Sequence, residues 1–285
     1  IQWEMVRKIW SRAEKTYIAG DDDQAIFKWA GADVDHFIAL KEEVNDIKVL
    51  DQSYRIPGGP IHELSQKIIN KVQNRFEKTY KPRDEIGLLK RYSDITQVDM
   101  SKGNWLVLSS ANYFLEDAKD LCEIQGWYYQ CKGINSVPLK LLLALNNWEH
   151  WRKGELLNHL EIKNIYEYLG DNVLVGFQKG KTLHSDAKYT LKECQEQHGL
   201  LVSTVWYESF HGLDPMTETY IRNMRANGET LNKNPRIKMS TIHAAKGGEA
   251  DNVLLMQDLT GAALETFSHD PDELHRLFYT GATRA

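Results

Sequence analysis

The sequence predicts an α/β protein: a mostly parallel sheet with helices between its strands, interrupted by a helical insertion. Three observations carry this. Short apolar runs that read as buried strands, at 15–19, 47–50 and 104–108, alternate with amphipathic helical stretches. From about 139 to 233 the signals become mainly helical. Strand-like runs then resume at 237–242 and 252–256.

Taken in order, Trp3, Met5, Val6, Ile9 and Trp10 recur at helical spacing, which predicts a helix over 2–13. Lys15–Ala19 reads as a strand ending at Gly20 and three aspartates, Asp21 to Asp23. Val34, Phe37, Ile38 and Leu40 mark a helix over 33–44, and Ile47–Leu50 the next strand. After Pro57-Gly-Gly-Pro60, Ile61, Leu64, Ile68 and Val72 define another amphipathic helix. The stretch 71–91 has seven Lys and Arg against three acids and reads as an exposed basic connection, able to touch phosphates or simply solvated. Strand 104–108 runs into Ser109-Ser110, and a helix with Leu115, Ala118, Leu121, Cys122 and Ile124 ends at Gly126, a C-cap position. Leu141, Leu142, Leu145, Trp148 and Trp151 dominate the insertion that follows.

Composition narrows the function classes. With 42% hydrophobic residues, 26% charged, 19 Gly and 7 Pro, a collagen-like or broadly disordered chain is excluded. No apolar run approaches the ~18 residues of a membrane span. Three cysteines without a CxxC pair argue against a disulfide scaffold and a structural zinc site. The net charge of −5 gives no global signal for nucleic acid.

Four segments carry the chemistry, each where a strand meets a loop, the ligand-binding edge of open α/β sheets. Gly20–Gly31 (GDDDQAIFKWAG) sets three carboxylates, a glutamine and two aromatics in succession. The aspartates repel one another unless a metal, a cation or a helix N-terminus compensates them, and Phe27 and Trp29 offer flat faces for bases. Leu50–Pro57 (LDQSYRIP) puts an arginine before a Pro-initiated helix, where its forked donors reach a phosphate. Ser240–Asp251 (STIHAAKGGEAD) clusters polar groups before Gly247-Gly248, where a ligand can approach backbone closely. Leu274–Ala285 (LHRLFYTGATRA) places a second arginine beyond a helix. Read singly, each is as compatible with a solvated loop, a surface arginine or core aromatics. None is a Walker A loop, since the order GxxxxGK[ST] is absent.

Together and in this order, the four segments resemble motifs III, IV, V and VI of the UvrD/Rep-type superfamily 1 DNA helicases. The resemblance spans the chain and is weakest across 134–235. It implies RecA-like (P-loop NTPase-type) domains closing around ATP: 1–45 as the end of domain 1A, 46–133 and 236–285 as two parts of domain 2A, and 134–235 as a mainly helical 2B-like insert. By the same resemblance Arg55 and Arg284 are γ-phosphate arginines and Gln24 couples the phosphate to the DNA site. The resemblance likewise implies that Tyr54 stacks on adenine and that Glu249 and Gly247 belong to the nucleotide site. It also implies that Phe27 and Trp29 stack on single-stranded DNA and that Thr241 and His243 lie near its backbone. Tyr54 and Phe27 as core aromatics, His243 as a structural histidine, and Asp21 to Asp23 as turn-holding residues remain the bland alternatives.

The sequence departs from the family pattern in places. Ala30 stands where motif III often has arginine, and Gly248 and Ala250 replace bulkier motif V residues. Neither a Walker A loop nor an Asp-Glu motif II occurs; the non-Met start and the Arg-Ala end read as the limits of a fragment that begins just after motif II. Such a fragment is expected to bind ATP weakly and not to hydrolyse it, most Mg²⁺ ligands lying upstream. The parent is expected to be a cytoplasmic, nucleoid-associated bacterial or phage-type 3′→5′ helicase acting on single-stranded DNA and single-strand/duplex junctions. The rivals are the motor of a helicase–nuclease, a degenerate DNA-binding module, and an unrelated α/β nucleotide-binding protein.

Overall fold

Helix α1 (Gln2–Trp10) forms where the apolar period predicts it. Arg7 holds Glu43 through both guanidinium nitrogens (2.8 and 2.6 Å). The computed structural model describes residues 2–170, 173–175, 183–229 and 234–285; residues 171–172, 176–182 and 230–233 of the expected insertion lie outside the described residues. Two expected strands are absent. Residues 15–19 and 47–50 are not strands, and Tyr17 is 92% exposed. An apolar run signals burial or extension, but a strand also needs a ladder partner. Helix α2 (Val34–Ala39) starts at Asp33, whose carboxylate accepts the His36 N–H, and is shorter than expected because a 3₁₀ turn takes over at Leu40.

The strand that does form is β1 (Gln52–Gly58), and helix α3 (Pro60–Ile69) follows it. Gly59 between them has φ +70°, a conformation that favours glycine, and Pro60 opens the helix. The partner of β1 is β2 (Lys81–Ile86), parallel to it with an irregular register. This corrects the reading of 71–91 as a mere connection. Its Lys-Pro-Arg-Asp-Glu-Ile composition hides a strand, because pairing overrides weak β-propensity and Pro82 is tolerated at a sheet edge.

The expected runs at 104–108, 237–242 and 252–256 form strands of a five-stranded sheet, to which two unexpected strands add. It contains β3 (Trp105–Ser109), β4 (Tyr129–Cys131) and β5 (Ile134–Asn135). Helix α4 (Glu116–Gln125) connects β3 to β4 and ends at left-handed Gly126 (φ +66°), where an added Cβ would lie 2.6 Å from that of Asn223. The helical insertion follows: α5 (Leu139–Arg152), the short strand β6 (Leu157–Asn158), α6 (His159–Tyr166), β7 (Lys188–Tyr189), α7 (Leu191–Gln197), α8 (Trp206–Ser209) and α9 (Pro215–Ala226). Strands β8 (Ile237–Thr241) and β9 (Asn252–Leu255) complete the order β5-β4-β8-β3-β9, in which all pairings except β4 with β5 are parallel. This is a mostly parallel α/β sheet, with a mainly helical stretch between β5 and β8. Helices α10 (Gly261–His269) and α11 (Pro271–Ala282) close the chain, and α11 packs on α3.

By contact the chain divides into two units, 1–89 with 260–285, and 90–259. The larger buries one apolar core running from Val98 to Met239, with Trp148 and Trp151 fully enclosed. The smaller has an apolar cluster of Ile69, Val72 and Tyr279 beside many buried polar groups.

Candidate functional site

The acidic loop is built from its glycine onward. An added Cβ on Gly20 would lie 2.6 Å from the Phe37 ring, so the backbone passes close to α2. Asp21 caps a 3₁₀ turn over Asp22–Gln24, accepting the Asp23 N–H. Asp22 and Asp23 are buried, yet no metal is required to compensate them. Arg75 grips Asp23 with a two-pronged contact (2.9 and 2.7 Å). Lys78 bonds Asp22 and lies 3.3 and 3.1 Å from Asp21 and Asp23. The Asp22 carboxylate also accepts the Phe76 N–H (2.7 Å). The turn-holding alternative for the three aspartates therefore describes their contacts. Among the described residues no group of His, Cys, Asp or Glu could hold a metal ion.

Helix α11 fastens this loop from the other side. Asp272 accepts the N–H groups of Gln73 and Asn74, both at 2.9 Å. Buried Arg276 donates to the carbonyls of Asp22 (2.9 Å) and Asn74. Lys28 pairs with Asp270 just before the helix. Beyond its end, Arg284 is 1% exposed and donates to the carbonyl of Thr280 (2.9 Å), the hydroxyl of Thr283 (3.3 Å) and Oε1 of Gln24 (2.9 Å). Gln24 in turn donates from Nε2 to Asp21 Oδ2 (2.5 Å).

The electrostatics follow from enclosure. Burial pushes the Asp23 carboxyl above the ordinary range, opposed by the Arg75 hydrogen bond and the Lys78 charge. Burial would lower Lys78, but the Asp22 hydrogen bond and the three aspartate charges outweigh it, and its ammonium is held above the usual value. Tyr80 and Tyr279 are also raised, by burial first and then by the aspartates.

The structure brings some expected site residues together and separates others. Gln24 and Arg284, 260 positions apart in sequence, touch. Phe27 and Trp29 flank one another, ring centroids 6.0 Å apart at 68°, with Trp29 73% exposed. Tyr54 is 85% exposed on β1, and neighbouring Arg55 is half-buried with its N–H 3.3 Å from the Ser53 hydroxyl. Thr241, His243, Gly247 and Glu249 belong to the other unit, at the carboxyl end of β8 and in the loop beyond it. Thr241 there accepts the Ala244 N–H (3.3 Å), and Gly247 has φ +94° with open space around it. At the same carboxyl edge Ser110 bonds the Asp258 carbonyl (2.6 Å).

Sequence reasoning missed the roles of Arg75, Lys78 and Arg276. A signal was available: three consecutive aspartates require compensation, and the 71–91 stretch carries an excess of cations. Their pairing spans more than 50 positions, so no local pattern shows it.

Two family models match the chain. Residues 1–45 match the UvrD/REP helicase N-terminal domain, and residues 213–285 match the UvrD-like helicase C-terminal domain. The chain is 23% identical over 179 residues to the ATP-dependent DNA helicase Rep of Buchnera aphidicola subsp. Baizongia pistaciae, covering 59% of this chain and 25% of that protein. It is 24% identical over 170 residues to the ATP-dependent DNA helicase PcrA of Bacillus subtilis, covering 59% and 23%. The chain spans about a quarter of the length of these curated relatives.

Proposed function

The chain belongs to the UvrD/Rep-type superfamily 1 helicases, and from that premise we propose that it is the motif III to VI portion of an ATP-dependent DNA helicase. The observation that carries the reading is the 2.9 Å contact of Arg284 with Gln24, which joins the first and last motif segments in one polar cluster.

In this reading ATP is the substrate. Arg284 now spends one guanidinium nitrogen on a neutral amide oxygen. A phosphate oxygen would be the stronger acceptor, because both partners are then charged. Arrival of the γ-phosphate would draw Arg284 from Gln24, and Arg55 would add a second forked donor set. Together they would stabilise charge on the transferring phosphoryl group. Tyr54, exposed on β1 of the same unit, would supply a ring for adenine.

Gln24 is three residues from Phe27 and five from Trp29, so a shift in its amide would reach the stacking rings through one short turn. The exposed Trp29 is suited to an unpaired base, a contact worth about 1–3 kcal/mol. Thr241 and His243 would hold the strand backbone. Movement 3′→5′, preference for single-strand/duplex junctions and a cytoplasmic, nucleoid-associated setting complete the proposal. No helix among the described residues is long and apolar enough to cross a membrane. Mg²⁺ would neutralise phosphate charge in such an enzyme, but Asp21 to Asp23 are committed to Arg75 and Lys78 and do not fit it.

The test is ATP turnover by the full-length gene product with and without single-stranded DNA. Stimulation by DNA is expected, with Arg55→Ala lowering kcat by roughly 10³-fold or more and Trp29→Ala weakening the stimulation. Full turnover by Arg55→Ala, or turnover indifferent to DNA, overturns the assignment.

A further inference from the structure

We infer that Asp21 is a positioning residue for the nucleotide response: it sets the orientation of the Gln24 amide and, through it, the acceptor offered to Arg284. The inference rests on the helicase reading above.

Gln24 is held at both ends by partners of opposite kind. A carboxylate can only accept and a guanidinium can only donate. Asp21 Oδ2 therefore requires Nε2 on its side (2.5 Å), and Arg284 requires Oε1 on the other (2.9 Å). The two demands agree on one orientation of the amide. Asp21 is itself fixed, since its Oδ1 accepts the Asp23 N–H (3.2 Å) and the Tyr80 hydroxyl (3.3 Å), with the Lys78 ammonium at 3.3 Å. The acidic loop and the 75–80 segment thus meet at one carboxylate, and Arg284, just beyond α11, is linked to it through Gln24.

The substitution Asp21→Asn separates this role from the capping role. The Asp23 N–H and the Lys78 ammonium can only donate and need an oxygen at the Oδ1 position, and asparagine supplies it, remaining a good cap. Its amino group must then occupy the Oδ2 position, facing Nε2 of Gln24. Two donors cannot bond, so the Gln24 amide turns over and presents its own amino group to Arg284, a second donor pair. One atom exchanged at residue 21 is transmitted to the arginine with the cap intact.

The experiment is a double-mutant cycle on DNA-stimulated ATP hydrolysis by the full-length gene product, using Asp21→Asn, Gln24→Ala and the pair. Asp21→Asn is expected to lower kcat roughly tenfold or more, the scale for loss of one charge-assisted hydrogen bond, with little change in KM for ATP. In the Gln24→Ala background the same change is expected to cost less than about twofold, because the residue that Asp21 orients is gone. Asp21→Ser keeps an oxygen for the cap, removes Oδ2 and introduces no donor clash. It should show the same dependence on Gln24 with a smaller loss, and it secures the test if the asparagine variant does not fold. Wild-type turnover with losses that simply add overturns this inference and leaves the helicase reading in place. Absence of DNA-stimulated turnover in the wild type overturns both.

Discussion

The two units of this molecule are held together by different physics. Unit 90–259 has one continuous apolar core, and the indole N–H groups of its buried Trp148 and Trp151 are satisfied by the carbonyls of Thr204 (3.0 Å) and Tyr189 (2.9 Å). The unit of 1–89 with 260–285 contains every buried charged residue among the described residues: Asp22, Asp23, Asp272, Arg276 and Arg284. Burial of apolar surface is nondirectional, whereas buried charges require particular partners at particular distances. The first arrangement gives stability that tolerates change of partner. The second ties the stability of a segment to the polar groups proposed to meet the nucleotide.

The comparison is broken or sharpened by mutation, hydrogen exchange being followed separately in peptides of each unit. The largest loss is expected for Trp151→Ala, about 3–5 kcal/mol from transfer and cavity effects, confined to 90–259. Exchange accelerating equally in both units would show that they are one cooperative body. Asp23→Ala is expected to cost a similar amount in the other unit, about 3–5 kcal/mol, because Arg75 is left buried without its carboxylate. The decisive observation is the pair Asp23→Leu with Arg75→Met, expected to cost less than Asp23→Ala alone. Costs that add would mean that pairing does not account for this core.

The smallest expected effect is the dependence on alkaline pH. The folded-state value of Lys78 lies above its ordinary value near 10.4. Its contribution to stability is therefore complete below that value and is lost as pH rises through the higher folded one. Tyr80 and Tyr279, raised mainly by burial, act in the same direction, and so do Tyr129, Tyr166 and Tyr220 in the other unit. Both units should weaken above roughly pH 10. Lys78→Met should flatten that slope in 1–89 with 260–285 alone, and an unchanged slope in the thermal unfolding midpoint would exclude the ammonium as a cause.

The same division explains what could be read in advance. Strands β3, β8 and β9 form where the apolar runs place them, and the stretch 139–233, read only as mainly helical, holds α5 to α9 among the described residues. The runs at 15–19 and 47–50 have the same signal but do not pair, while β2 pairs with almost none. In the site, motif order pointed to Gln24, Arg55 and Arg284 as residues of interest. It did not reveal that Arg284 is enclosed, that Gln24 joins it to Asp21, or that Arg75 and Lys78 neutralise the acidic loop.

By itself, then, the amino-acid sequence determined the α/β class, the mainly helical character of 139–233 and the residue types available for chemistry. These depend on composition, periodicity and short-range order, which are local properties of a chain. Only the tertiary structure decided which charge meets which. A carboxylate accepts any donor that the fold delivers, and here the donors come from 52 and 56 positions away at Arg75 and Lys78, while the acceptor for Arg284 comes from 260.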